Sequence, residues 1–452
     1  MPITDSMFLL GESREHPLHV GGLQLYQLPE GAGPDYVSEQ HRALLAETDL
    51  LPLFRRRPGR ALSSLGQWTW ADDPHLDLEY HIRNSALPTP GRVRELLELT
   101  SRMHGTLLDR HRPLWEFHLI EGLQGGRFAT YTKVHHSLLD GVAALRLMQQ
   151  ALSEDPTKRG MPPPWVERPA TNPGEEVEAG ATGALQGLRG AAKAVGEVMA
   201  LGPTLVMSIN DLFRDQIAML PFQAPKSMLN VPITGARRFA AQGWSLERIR
   251  AVGEIAGATV NDVMLAMCAG ALRRYLIELD ALPERPLIAA APISLRTDHA
   301  GSEGNAVGLI LCSLATHLKD PMARLIEICG SMRRGKEFYE GMSRLQVTAL
   351  SAIPIASLLL TPIPGVLKIS PPAFNLIISN LPGPNAPLYW NGARMLGVYP
   401  VSIPYDGQAL NITVTSYNGS LEFGLTGCRR SVPHLQRLLG YLDDSLVELE
   451  RV

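Results

Sequence analysis

Four cysteines in 452 residues, Cys268, Cys312, Cys329 and Cys428, lie far apart and form no Cys-x-x-Cys pair. That excludes a disulfide-stapled scaffold and a compact zinc-ribbon site. They fall mostly in apolar runs and read as small buried residues of a reduced cytoplasmic protein. Excess charge is missing too: Lys plus Arg number 42, Asp plus Glu 45, and the net charge is -3. With the signs interspersed there is no basic stripe, so no nucleic-acid partner is expected. Met1 to Leu10 lacks the basic start, long apolar stretch and small-residue cleavage site of a secretory signal, so export is not expected. Gly-x-Gly-x-x-Gly and Gly-x-x-x-x-Gly-Lys-Ser/Thr loops are absent, which removes those two phosphate cradles. A Gly-x-Ser-x-Gly elbow is absent as well, and with it the commonest local sign of a serine hydrolase. No short-period repeat is found. The most apolar window, Leu345 to Leu367, contains no charge, but Pro354, Pro362 and Pro364 interrupt it. A buried or membrane-touching hairpin is expected there rather than a spanning helix.

What remains is an ordinary globular composition, 45% hydrophobic and 19% charged, long enough for two or three units at about 150 residues each. Strands are expected at Leu18 to Leu28, Trp115 to Ile120 and Phe128 to Val134, the last two joined by a turn with Gly122, Gly125 and Gly126. Helices are expected over Tyr36 to Glu47 and Gly91 to Leu108. After Gly141 the apolar residues Val142, Leu145, Met148 and Leu152 recur at helical spacing. Asp155 to Gly174 is rich in proline and charge and Ala179 to Ala200 in alanine and glycine, together a linker. A second unit opens with Thr259 and Asp262 as a capping box for a helix to Leu279. Strands follow at Leu287 to Ile293 and Val307 to Leu314, then a hairpin of Leu410 to Tyr417 and Leu421 to Leu425 around Asn418-Gly419, and a last helix from Pro433 to Leu449. The reading is a mixed α/β (α+β) chain divided into 1–165, a crossover at 166–228, and 229–452.

The chemistry concentrates in His135-His136-Ser137-Leu138-Leu139-Asp140-Gly141, where a strand hands over to a helix. A neutral imidazole, with a reference pKa near ~6.5, can take a proton from an alcohol at cellular pH. Tandem histidines at a strand end place their rings on different sides of the backbone, so one faces a given cavity and the other organises the loop. Asp140, four residues after His136, could orient the imidazole or form an ion pair elsewhere. A metal reading stays open on residue types, although no further His or Cys lies at compact zinc spacing. For His16, His41, His81, His118 and His434 the default is a satisfied, partly buried ring.

The histidine run resembles the HHxxxDG signature of the CoA-dependent acyltransferase superfamily. Arg112-Pro113-Leu114-Trp115-Glu116 resembles the PLW element of the bacterial wax ester synthase/diacylglycerol acyltransferase family. The likeness continues through Pro17-Leu18-His19-Val20-Gly21, Gly257 to Asp262 with its Asn261-Asp262 pair, Pro292 to Arg296, Gly304-Asn305, and Ser379 to Pro384. It departs at Leu314-Ala315-Thr316, where the family commonly has a central proline, and loosens over Gly160 to Ser227. The resemblance implies two pseudo-symmetric, chloramphenicol-acetyltransferase-like domains with the active site in a tunnel between them. It implies His136 as general base, His135 as its support, and Asp140 as a structural residue paired with Arg296, with Gly141 closing the motif. Asn261, Asp262, Thr413 and Thr415, with Asn411 on the same strand, are candidates for site support or oxyanion donation, though Thr259 with Asp262 is also a plain helix cap. Pro113, Leu114, Trp115, Ser379 and Asn380 are candidate tunnel residues. The implied substrates are a long-chain acyl-CoA and a fatty alcohol or diacylglycerol, with no permanently bound cofactor and no metal. Peripheral association with the inner face of the membrane or with lipid droplets is the expected location. Rival readings are a condensation-type enzyme acylating a carrier-bound or polyketide hydroxyl, and a non-catalytic lipid-binding protein of the same fold.

Overall fold

The computed structural model describes residues 3–60, 68–139, 141–166, 222–295, 306–340, 342, 344–359, 361–362 and 365–451. Contacts divide the chain into two compact units, Met1–Thr182 with Gly383–Ile403, and Gly183–Pro382 with Pro404–Val452.

In the first unit the strands are β1 (His19–Gln27), β2 (Arg56–Arg60), β3 (Trp68–Asp72), β4 (Ile82–Ala86), β5 (Trp115–Leu123) and β6 (Arg127–His135). The second contributes β7 (Arg237–Ser245), β8 (Ile288–Leu295), β9 (Ala306–Ser313), β10 (Leu376–Leu381), β13 (Leu410–Tyr417) and β14 (Ser420–Cys428). Between β10 and β13 the chain returns to the first unit and adds β11 (Tyr389–Trp390) and β12 (Ala393–Val401). One six-stranded sheet has the order β11-β12-β1-β6-β5-β4, the other β7-β14-β13-β10-β8-β9, and β2 and β3 form a separate ribbon.

The two large sheets share a wiring. In the first, β1 runs antiparallel to β6, the second strand of the β5–β6 hairpin, and β4 lies parallel to β5. In the second, β7 runs antiparallel to β14, the second strand of the β13–β14 hairpin, and β10 lies parallel to β13. Each sheet is thus a four-strand unit of one kind, extended at its edge by different strands. This is the paired α/β architecture that the resemblance implied. The return of Gly383–Ile403 means that the first unit is not one continuous stretch. Backbone pairing of β1 with β12 over Gly21 to Gln27 holds the returning segment, a long-range pairing that hydropathy along the chain does not reveal.

Local chemistry accounts for the joints. Asn418 and Gly419 take φ of 44° and 80°, the pair of positive values that a two-residue hairpin turn needs. At Gly21 a Cβ would stand 2.9 Å from the Thr132 carbonyl oxygen and 2.9 Å from the Tyr131 ring, so β1 reaches β6 only with glycine there. Over Asp262–Leu272 the helix Val260–Glu278 is apolar nearly all round because that stretch is buried, with Val263, Leu265, Met267, Cys268 and Leu272 at 0% exposure. Ala315, where the family commonly has proline, stands at φ 47°, a value that the proline ring forbids.

Of the three prolines in the apolar window, the first lies within a helix. Arg344–Leu359 is one helix with Pro354 inside it. Val347 and Ser351 anchor the turns before the proline, the Ser351 hydroxyl accepting the Leu309 N–H at 3.0 Å. Ile355 and Leu358 pack beyond it against the cluster containing Leu309 and Phe374. Burial on both sides outweighs the ~3 kcal/mol cost of an interior proline. The expected linker lies outside the described residues from 167 onward.

Asn375 stitches the second unit together. It is 0% exposed, its Oδ1 accepts the Ile288 N–H at 2.8 Å, and its Nδ2 donates to Pro225 O and Asn230 Oδ1, each at 2.7 Å. Asn375→Ala orphans a buried donor and a buried acceptor, each worth about 1–3 kcal/mol. We expect a loss of about 2–4 kcal/mol in urea unfolding; a loss under about 0.5 kcal/mol would show that water replaces the amide.

Candidate active site

β6 lies between β1 and β5, and eight of its nine residues are buried. It ends at His135, and His136 follows it. The His135 N–H donates to Leu114 O and the His136 N–H to Leu18 O, both at 2.9 Å, so successive amides reach opposite neighbours. Two residues earlier on the strand, Lys133 is 1% exposed and ties it to its surroundings. Its Nζ lies 3.0 Å from Glu116 Oε2 and donates to the Met103 and Thr106 carbonyls at the end of the helix Val93–His104. Burial pushes the Glu116 carboxyl up, but His118, Lys133 and Arg83 outweigh it and hold the group down at about 2. Burial lowers the Lys133 ammonium, with Glu116 opposing.

His135 is wholly buried. Its Nδ1 receives the Ser137 N–H at 3.1 Å and lies 2.7 Å from the Ser137 hydroxyl. An Nδ1 that accepts a backbone N–H carries no proton, which puts the proton of the neutral ring on Nε2. Nε2 lies 3.4 Å from Glu12 Oε1. Glu12 follows the first helix, Ile3–Gly11. Its Oε1 also accepts the Leu18 N–H at 3.1 Å, and its Oε2 receives Arg110 Nη2 at 3.0 Å. Burial raises the Glu12 carboxyl, yet the hydrogen bonds and charges of His135, Leu18 and Arg110 prevail and leave it below its ordinary value. The Ser137 N–H thus sets the His135 tautomer, while the Glu12 carboxylate lies beside Nε2 and also holds Leu18, the backbone residue on which His136 rests. Sequence reading missed Glu12, since a lone Glu in Gly11-Glu12-Ser13 carries no local signal; only the fold brings it to His135.

His136 is the half-buried member of the pair. The Phe8 ring stacks on it with centroids 4.7 Å apart and 9° between planes. The helix Gly141–Gln150 begins at the last residue of the motif and carries the helical spacing read after Gly141. Asp140 and its expected partner Arg296 lie outside the described residues.

Leu114 and Trp115 are packed beneath the histidine pair. Leu114 is 0% exposed, and its carbonyl seats His135. The Trp115 indole N–H donates to Phe54 O at 2.9 Å, its ring stacks on His81 at 4.6 Å, and its carbonyl accepts from His81 Nδ1 at 2.8 Å. The element supports the histidines from beneath. His16, His41 and His118 are partnered as well, by Ser13, the Ile82 carbonyl and Glu116.

The remaining candidates belong to the second unit. Asp262 and Thr259 form the reciprocal cap, Thr259 Oγ1 donating to Asp262 Oδ2 at 2.6 Å and the Asp262 N–H to Thr259 Oγ1 at 3.2 Å. Asn261 is half-buried in that same first turn. On β13 the Thr413 hydroxyl donates to Asn411 Oδ1 at 3.0 Å, while Thr415 is 0% exposed. Ser379 and Asn380 are half-buried on β10, in register with Thr413 and Val414. Among the described residues no cluster of His, Cys, Asp and Glu could hold a metal ion.

The sequence profile of the wax ester synthase/diacylglycerol acyltransferase catalytic domain matches residues 1–264, and that of the WS/DGAT C-terminal domain matches 303–450. The chain belongs to the wax ester synthase/diacylglycerol acyltransferase family. The "Probable diacyglycerol O-acyltransferase tgs2" of Mycobacterium tuberculosis is 52% identical over 99% of this chain and 98% of its own. The solved wax ester synthase/diacylglycerol acyltransferase of Marinobacter aquaeolei VT8 is 46% identical, with a TM-score of 0.78 over 99% of this chain and 98% of that one. The first condensation domain of the CDA synthetase, 14% identical, matches with a TM-score of 0.57 over 100% of this chain and 95% of its own, a likeness of fold alone. As a WS/DGAT family member the protein is an acyltransferase that takes acyl-CoA as substrate.

Because the folded Glu12 carboxyl lies below its ordinary 4.5, its stabilising contribution is complete above that value and is lost as pH falls through the folded one. Glu12→Gln should cost about 1–3 kcal/mol at pH 7. Urea titrations should show the gap to wild type constant down to about pH 5 and narrowing below about pH 4. A gap unchanged at pH 3 would mean that the native carboxyl is not ionised.

Proposed function

We propose that the protein transfers a long-chain acyl group from acyl-CoA to the hydroxyl of a diacylglycerol or fatty alcohol, with His136 as general base. His136 takes the hydroxyl proton as the oxygen attacks the thioester carbonyl. The tetrahedral oxyanion collapses, the carbon–sulfur bond breaks, and His136 returns the proton to the CoA thiolate. The products are triacylglycerol or wax ester and free CoA, and no acyl-enzyme forms.

The observation that carries this reading is the division of labour within the pair. His135 is enclosed and occupied by Glu12 and Ser137, whereas His136 keeps exposed surface. Support for the acceptor class comes from the diacylglycerol O-acyltransferase names of relatives 52% identical over nearly the whole chain.

Both acceptors are lipids, and on this reading the enzyme works on the cytoplasmic side, attached peripherally to the membrane or to lipid droplets. Among the described residues no single helix is long and apolar enough to cross a membrane. The apolar helix Arg344–Leu359 and the neighbouring Ile369, 85% exposed, suit contact with a lipid surface.

Palmitoyl-CoA offered separately with dipalmitoylglycerol and hexadecanol should release CoA thiol in an acceptor-dependent way. His136→Gln should lower turnover by about 10²–10⁴-fold at an unchanged melting temperature. Wild-type turnover in a folded variant removes His136 from its role, and strict dependence on a carrier protein favours the condensation-type reading. In flotation with vesicles containing anionic phospholipid the protein should rise with the lipid; exclusion from vesicles of every composition removes the membrane assignment.

A further inference from the structure

The first helix reaches both histidines. Glu12 donates its backbone N–H to the Phe8 carbonyl at 3.1 Å, so Phe8 and Glu12 stand one helical turn apart on one side. From that side Glu12 meets His135 and Phe8 stacks on His136. Leu9 beside them is 0% exposed, which packs the helix down, while Leu10 is 66% exposed on the other side. The tie of Glu12 to the Leu18 N–H and Arg110 fixes the helix end against the strand on which His136 rests.

A phenyl ring nearly parallel to an imidazole limits how the imidazole can turn about χ2, because rotation out of the stack loses the contact over one whole face. The face of the phenyl ring is also the negative end of its quadrupole, and an imidazolium is held there more strongly than a neutral ring. An aliphatic side chain of similar volume would fill the space and supply neither effect.

We infer that Phe8 is a positioning residue for His136: it sets the plane of the base and favours the protonated ring that follows proton transfer. This rests on His136 being the general base. Phe8 acts through His136 and touches no reacting atom, so its contribution falls on the catalytic step and leaves binding of acyl-CoA unaltered.

The test compares Phe8→Leu, Phe8→Met, Phe8→Tyr and His136→Gln in the full chain, measuring kcat, KM for palmitoyl-CoA with dipalmitoylglycerol as acceptor, and melting temperature. The Leu and Met variants should lose roughly three- to tenfold in kcat, the range of an aromatic or cation–π contact, with KM within about twofold of wild type. Phe8→Tyr, which keeps the ring, should return kcat to within about twofold. Two folded aliphatic variants guard against one that fails to fold. Wild-type kcat in Phe8→Leu or Phe8→Met beside an inactive His136→Gln overturns the inference and spares the base assignment. A loss that Phe8→Tyr does not restore, or one confined to KM, overturns it equally. Turnover surviving in His136→Gln overturns the base assignment and this inference with it.

Discussion

Two backbone hydrogen bonds at the end of β6 decide where the chemistry can sit. His135 is tied to Leu114 of the neighbouring β5 side and His136 to Leu18 on the β1 side. Because the bonds alternate, the two rings enter different surroundings, one sealed among Glu12 and Ser137 and the other half-buried against Phe8. Each surrounding feature serves these bonds. Gly21 lets β1 approach β6, the PLW element supplies the Leu114 carbonyl and a packed base, and Lys133 anchors β6 to a helix end.

Electrostatics at this end of the sheet is arranged in pairs. Glu116 is shared by Lys133, His118 and Arg83, and Glu12 by Arg110, His135 and a backbone N–H. Both carboxyls are held below their usual range despite burial. Burying an unpaired carboxylate would cost several kcal/mol, so each is placed where cations and N–H groups converge. The consequence is rigidity: the enclosed His135 ring has one tautomer and one position.

Much of the fold was legible before any coordinates. The strand–turn–strand leading to His135, the helix after Gly141, the Thr259–Asp262 cap and the Asn418-Gly419 hairpin all formed as the local patterns required. Their causes are local: side-chain period, cap chemistry and turn residues act within a few positions. Pro354 sits inside a helix because a proline's cost is local while the packing of Ile355 and Leu358 that offsets it is not.

By itself the sequence determined the two-unit α/β architecture, the family and the paired-histidine motif, because ordered short patterns and residue chemistry are written along the chain. Tertiary structure decided which surroundings each histidine receives, that Glu12 and Phe8 join them, and that Gly383–Ile403 returns to complete the first sheet. Those are contacts between residues far apart in the chain, set by strand pairing and burial, and no local pattern encodes them.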